Sequence, residues 1–144
     1  MIIDLITTDN LHLGCQAKNK SEVLSLIGHE FSAKGYVSQD CVAFLNERER
    51  QVSTFLGNGI TLPHLPKSEN HIIVKSGIEV FQFPDGVIWD RNNVMFIAIG
   101  VVAREKEHIE VLRDIASIFS DEVISSALSL ISGKEDFLKI LFQR

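Results

Sequence analysis

Apolar residues first recur at helical intervals after Asn19-Lys20-Ser21-Glu22, where Asn19 and Glu22 have the spacing of a capping box. Val23, Leu24, Ile27 and Phe31 then mark one face of a helix, and Gly35 supplies the stop. Ser38 can cap a second helix that carries Val42, Phe44 and Leu45 and runs out through Glu47-Arg48-Glu49. The period then shortens. Residues 53–56, 60–62, 72–74 and 78–83 read as short strands, and Pro84-Asp85-Gly86 reads as a turn before Val87-Ile88-Trp89.

Residues 94–102, VMFIAIGVV, form a nearly unbroken apolar run, the pattern of a central strand covered on both faces. A helix is expected from about Glu105, with Ile109, Leu112, Ile115, Ala116 and Phe119 on its apolar side. Two more helices follow over residues 121–131, with Ser120 as a possible cap, and 134–142, separated by Gly133. Helices at both ends of a strand-rich middle predict one α/β domain over residues 1–144: a mixed β-sheet flanked by helices on both faces. Several connections are too short for parallel crossovers, so mixed strand directions are expected.

Composition narrows the function classes. The chain has 144 residues, 45% of them hydrophobic, and a net charge of −5, enough length for a core without disulfides or metal. Its longest charged run, Glu47-Arg48-Glu49-Arg50, mixes both signs, which argues against nucleic acid as a partner. An acidic surface suits a basic protein partner or simple solubility. No apolar run approaches the ~20 residues needed to span a bilayer, and Met1-Ile2-Ile3-Asp4 lacks the basic region of a signal peptide. Cys15 and Cys41 form no CxxC and are expected to be reduced, packed side chains in a cytoplasmic protein.

The candidate chemistry centres on GNGITLPHLP, residues 57–66. Leu62 precedes a proline and is therefore pushed to extended backbone, while Pro63 and Pro66 stiffen the chain on either side of His64. Gly57 and Gly59 permit left-handed or closely packed backbone and could turn N–H donors outward, and Asn58 tolerates the left-handed region. An imidazole held on such a peg can serve as nucleophile, base or ligand; a loop histidine without a role is the alternative. Arg48 precedes it at the end of a predicted helix, and His108 follows at the start of another. A guanidinium, a second imidazole and backbone N–H groups on one rim of a sheet would cradle a phosphoryl group. Neither histidine has a carboxylate at ligand spacing and HExxH is absent, so no metal centre is expected. No GxxxxGK[ST] occurs, so ATP is not the expected donor. His12, His29 and His71 read as surface or packing residues.

LNERERQVSTFLGNGITLPH, residues 45–64, resembles the signature of the enzyme IIA components of the bacterial sugar phosphotransferase system, mannitol/fructose family. GVVAREKEHIEVLRDIASIFSD, residues 100–121, resembles the segment with that family's second active-site histidine, and KGYV, GIEVFQFPDGV and EHIEVL look mannitol-type. The resemblance implies a cytoplasmic phosphocarrier without cofactor, alternating between two proteins. The histidine phosphocarrier HPr would give a phosphoryl group to Nε2 of His64, and a cysteine of the enzyme IIB of a membrane sugar permease would take it. His108 would stabilise the phosphoryl group and Arg48 would support it electrostatically, while Ser53 and Thr54 match the family's serine-threonine pair and are either support or ordinary strand residues. A regulatory, nitrogen-type member of the family, acting by phosphorylation-dependent protein binding, is the alternative. Phe55, Leu62 and Leu65 are candidates for an apolar docking patch around His64.

Overall fold

The computed structural model describes residues 6–142, and for Glu105 and Lys106 the backbone alone; Met1-Ile2-Ile3-Asp4 lies outside the described residues. Five strands, β1 (Leu11–His12), β2 (Phe55–Gly57), β3 (Ile60–Thr61), β4 (Gly77–Asp90) and β5 (Asn93–Val102), form one sheet in the order β1-β4-β5-β3-β2. β1 runs parallel to β4 and β3 parallel to β5, whereas β4–β5 and β2–β3 are antiparallel, so the strand directions are mixed as expected. The helices are α1 (Lys20–Ala33), α2 (Val42–Gln51), α3 (Glu105–Phe119), α4 (Glu122–Leu130) and α5 (Lys134–Phe142).

β5 is the middle strand, and its unbroken apolar run is explained by two cores. Ile97, Ile99 and Val101 face one cluster with Val111, Ile115, Leu128 and Phe137 of α3, α4 and α5. Met95, Ala98 and Val102 face the other, with Val23, Leu24, Ile27, Phe31 and Leu45 of α1 and α2. Alternation of side chains along a strand sends apolar groups to both sides, so both must be apolar when both are covered. α1 and α2 approach closely at Gly28, where a Cβ would stand 2.6 Å from Val42 Cγ2. None of the helices among the described residues is long and apolar enough to cross a membrane.

The local signals fare unevenly. Asn19 Oδ1 accepts from Glu22 N at 3.0 Å as expected, but the returning arm goes from Lys18 N to Glu22 Oε1, one residue outside the reciprocal box. Ser38 caps nothing: α2 begins later, where Asp40 Oδ1 accepts from Val42 N. Asp121, not Ser120, caps α4, accepting from Val123 N and Ile124 N. A carboxylate one residue on reaches the free N–H groups that the serine does not. Pro84-Asp85-Gly86 does not divide two strands; it is a register shift inside the single long strand β4, between Gln82 and Val87. Its proline needs no ladder donor at such an irregularity. Residues 72–74 are not a strand, since they close the 3-10 segment Lys67–Ile72 and contribute only a bridge between Ile73 and Val37.

Candidate functional site

His64 is presented by a segment plugged into both cores. Leu62 packs in the core beneath α3–α5 and Leu65 in the core beneath α1–α2, and burying each is worth about 1.5–3 kcal/mol. Backbone bonds fix the rest: Leu62 N donates to Thr54 O at 3.1 Å, Val101 N donates to Pro63 O at 3.0 Å, and His64 bridges Val101 as a parallel extension of the sheet. The stiff peg read from the two prolines is thus also a sheet element. Leu62 and Leu65 are core residues and Phe55 is half-buried, so the docking patch expected from them is not there. Exposed apolar groups beside His64 are Val52, 67% exposed, and Ile109, 56% exposed. Ile109 was expected on the core side of its helix; it faces the cleft, and Val111 and Ile118 take core places instead.

His64 Nδ1 lies 2.7 Å from Leu62 O. A carbonyl oxygen only accepts, so Nδ1 carries the proton of the neutral ring and Nε2 keeps its lone pair. Burial pushes the His64 pKa down to about 4; the Leu62 bond opposes this, His108 and Arg48 add to it, and Glu49 opposes it. At neutral pH the ring is therefore an uncharged base with its nucleophilic nitrogen free. The His108 ring stands 4.6 Å away, centroid to centroid, inclined by 56°. Its pKa is also lowered, first by burial and then by the charges of Arg48 and Lys67. His108 Nε2 is buried without a hydrogen-bond partner among the described residues, an unusual state for a polar atom.

These rings open on a cleft of about 570 Å3 that Arg48 and Lys67 also line. The three residues singled out from separated parts of the sequence, Arg48, His64 and His108, are brought together there. Arg48 Nη1 donates to Val52 O at 2.8 Å, which fixes the guanidinium at the end of α2. Gln51, Ser68 and Asn70 add neutral polar groups, and no carboxylate lines the cleft among the described residues, on a chain whose net charge is −5. Lys67 and these neutral residues were not picked out from the sequence. Their signal was only proximity in the chain: Lys67, Ser68 and Asn70 lie three to six positions after His64, and Gln51 lies three after Arg48.

Two expectations go elsewhere. The turn of Gly57, Asn58 and Gly59 is left-handed throughout, with φ of 95°, 51° and 76°. It does not line the cleft, however; Asn58 Nδ2 donates to Phe119 O at 2.9 Å, pinning the β2–β3 turn to the end of α3. Ser53 and Thr54 also stay out of the cleft. Ser53 is exposed and its Oγ accepts from Phe55 N, while Thr54 is buried with its hydroxyl donating to Glu49. His12, expected to be a surface or packing residue, belongs to a polar cluster in which its Nε2 donates to Glu79 Oε1 at 2.8 Å. His12, Glu30 and Glu79 bring three possible metal-ligand atoms within 4.8 Å of one another. Lys34 Nζ already balances that charge, 3.3 Å from Glu79 Oε1.

The site can therefore supply an uncharged nitrogen nucleophile, a neighbouring donor and a fixed cation, which are the needs of phosphoryl transfer. The comparisons agree in kind. Over 136 residues the chain is 35% identical to the multiphosphoryl transfer protein of Salmonella typhimurium, covering 94% of this chain but 36% of that protein, so it spans about a third of that relative's length. It is 30% identical to the mannitol-specific phosphotransferase enzyme IIA component of Bacillus subtilis, with 96% of each covered. The crystal structure of IIA mannitol from Escherichia coli superposes with a TM-score of 0.88 at 28% identity, covering 94% of this chain and 98% of that one. The E. coli complex of enzyme IIA mannitol with phosphorylated enzyme IIB gives a TM-score of 0.89 at 27% identity, covering 96% and 98%. Residues 4–144 match the family described as phosphoenolpyruvate-dependent sugar phosphotransferase system, EIIA 2, and the chain accordingly belongs to that family as a phosphotransferase component.

Proposed function

We propose that this chain is a cytoplasmic mannitol-type IIA unit that accepts a phosphoryl group from phospho-HPr on His64 Nε2 and passes it to a cysteine of an enzyme IIB. Residues 1–144 act as one such unit. The observation that carries the reading is the pairing of a free His64 Nε2 with the unpartnered His108 Nε2 in a cleft that holds two cations and no described carboxylate. The relatives named for mannitol, and the one solved with phosphorylated IIB, favour mannitol and a IIB acceptor.

In the first step the His64 Nε2 lone pair forms a bond to phosphorus as the donor's N–P bond breaks, and the bonding pair returns to the donor imidazole. His64 keeps its Nδ1 proton on Leu62 O, so positive charge building on the ring is met by a carbonyl dipole. His108 Nε2 and Arg48 face the equatorial oxygens, where charge concentrates in a loose transition state. A dianion beside His108 favours its protonated form, and the unpartnered nitrogen then donates. In the second step an IIB thiolate attacks phosphorus, and the pair of the breaking N–P bond returns to His64.

The test is transfer of labelled phosphate from phosphoenolpyruvate through its kinase and HPr. Wild type should acquire acid-labile phosphate and lose it to a mannitol IIB, while His64→Ala acquires none and remains folded. Acid-labile phosphate on His64→Ala would overturn the assignment.

A further inference from the structure

Glu49 follows Arg48 on α2, yet its carboxylate points inward and its side chain is 3% exposed. Three donors converge on it: Thr54 N at 3.0 Å and Trp89 Nε1 at 2.8 Å on one oxygen, Thr54 Oγ1 at 2.7 Å on the other. Lys20 Nζ stands 3.7 Å away. A carboxylate can accept all three bonds at once, and the Lys20 ammonium faces its charge. The chain of bonds continues beyond it. Thr54 O accepts from Leu62 N, and Leu62 O accepts from His64 Nδ1.

We infer that Glu49 is a positioning residue for phosphoryl transfer, tying the end of the Arg48 helix through Thr54 and Leu62 to the tautomer and aim of His64. The inference rests on the reading of His64 as the phosphoryl acceptor. It gives Thr54 a role without contact with the phosphoryl group: the threonine is the link between a buried anion and the backbone that holds the histidine. It also explains why neighbouring residues of α2 do different work. Arg48 turns its charge to the cleft, while Glu49 spends its charge inside on the junction between α2 and β2. Trp89 of β4 makes that junction rigid from a third side.

Glutamine in place of Glu49 can keep its oxygen for Thr54 N and Trp89 Nε1, but its amide must then donate to Thr54 Oγ1, which reverses that bond and removes the charge facing Lys20. The test compares wild type, Glu49→Gln, Glu49→Asp and Thr54→Val as full chains. Imidazole nitrogen NMR of the unphosphorylated protein reads the His64 tautomer, and stopped-flow transfer from phospho-HPr reads the rate. Glu49→Gln should mix Nε2–H into the Nδ1–H form and slow transfer roughly ten- to a hundredfold, since small misplacements of a reacting group carry penalties of that order. Glu49→Asp, keeping the charge, should recover part of both. Thr54→Val removes one hydroxyl bond in the same volume, and should shift the tautomer in the same direction by less. A folded Glu49→Gln with wild-type tautomer and rate overturns the inference. If Glu49→Gln does not fold, Thr54→Val decides in its place by the same two readouts. The tautomer is read without a donor protein, so wild type refusing phosphate would sink the acceptor reading while the positioning of the imidazole is still decided.

Discussion

His12 and His64 occupy opposite flanks of the central strand: Glu79, the partner of His12, pairs with Gly100 of β5, and His64 bridges the next residue, Val101. Around Glu79 every donor has been spent. His12 Nε2, Asn10 Nδ2 at 2.8 Å, Tyr36 Oη at 2.6 Å and the Lys34 ammonium all converge on a carboxylate with no side-chain exposure. Burial alone would raise its pKa, but those four partners outweigh burial and hold it below the usual glutamate range. The cleft is the reverse. Its imidazoles are both driven below their ordinary pKa by burial and by neighbouring positive charge, and His108 Nε2 has no partner among the described residues. A satisfied network stabilises the fold; a buried ring nitrogen left without a partner costs stability that an incoming dianion would offset.

The largest expected effect sets the two clusters against each other. Glu79→Ala strands Tyr36, Asn10, Lys34 and His12, and should cost about 3–5 kcal/mol in urea unfolding while the folded fraction still takes phosphate at the wild-type rate. His64→Ala should do the opposite at pH 7, abolishing transfer at a stability cost of only about 1 kcal/mol, that of its one hydrogen bond. Loss of transfer in folded Glu79→Ala would break the division between the two regions.

Next come the members of the cleft. A charge-assisted hydrogen bond is worth ~1.5–3 kcal/mol, so Arg48→Ala and His108→Ala should each slow transfer by roughly one to two orders of magnitude. Arg48→Ala should do so at every pH, because a guanidinium does not titrate in the accessible range. His108→Ala should also change the pH profile of stopped-flow transfer. Equal profiles in the two variants would remove the imidazole's separate role.

The smallest effect is in stability against pH. Because the folded His64 pKa lies near 4 and the ordinary value is 6.5, the unfolded chain binds more protons between them. Stability from this source is therefore complete above pH 6.5 and is lost as pH falls toward 4. Glu79, whose folded pKa is depressed, loses its contribution only at more acid pH, below the ordinary 4.5. His64→Ala should flatten the first window by roughly 2 kcal/mol, after allowance for solvent screening, and leave the second intact. Denaturant midpoints measured from pH 7 to 4 in both proteins would show it; an unflattened first window means that His64 is not the desolvated base described.

Much of this was legible in residue order. Local periodicity marked α1, α3 and α5, the apolar run of β5 announced a strand covered twice, and the prolines around His64 stiffened the peg by φ restriction alone. Those signals are short-range, carried by a few consecutive residues whose backbone choices are limited whatever surrounds them. What tertiary structure decided was every partnership across distance. Leu62 and Leu65 look like exposed flanks in the sequence, but each is drawn into a different core because the segment continues the sheet alongside β5. Glu49 looks like one more member of a solvated charge run. It becomes a buried anion because Thr54 and Trp89, 5 and 40 positions away, bring their donors to it. Order along the chain fixes which chemical groups exist and how stiffly each is held; burial and most hydrogen-bond partners come from segments distant in sequence, and they determine that His12 meets a carboxylate while His64 meets a second imidazole.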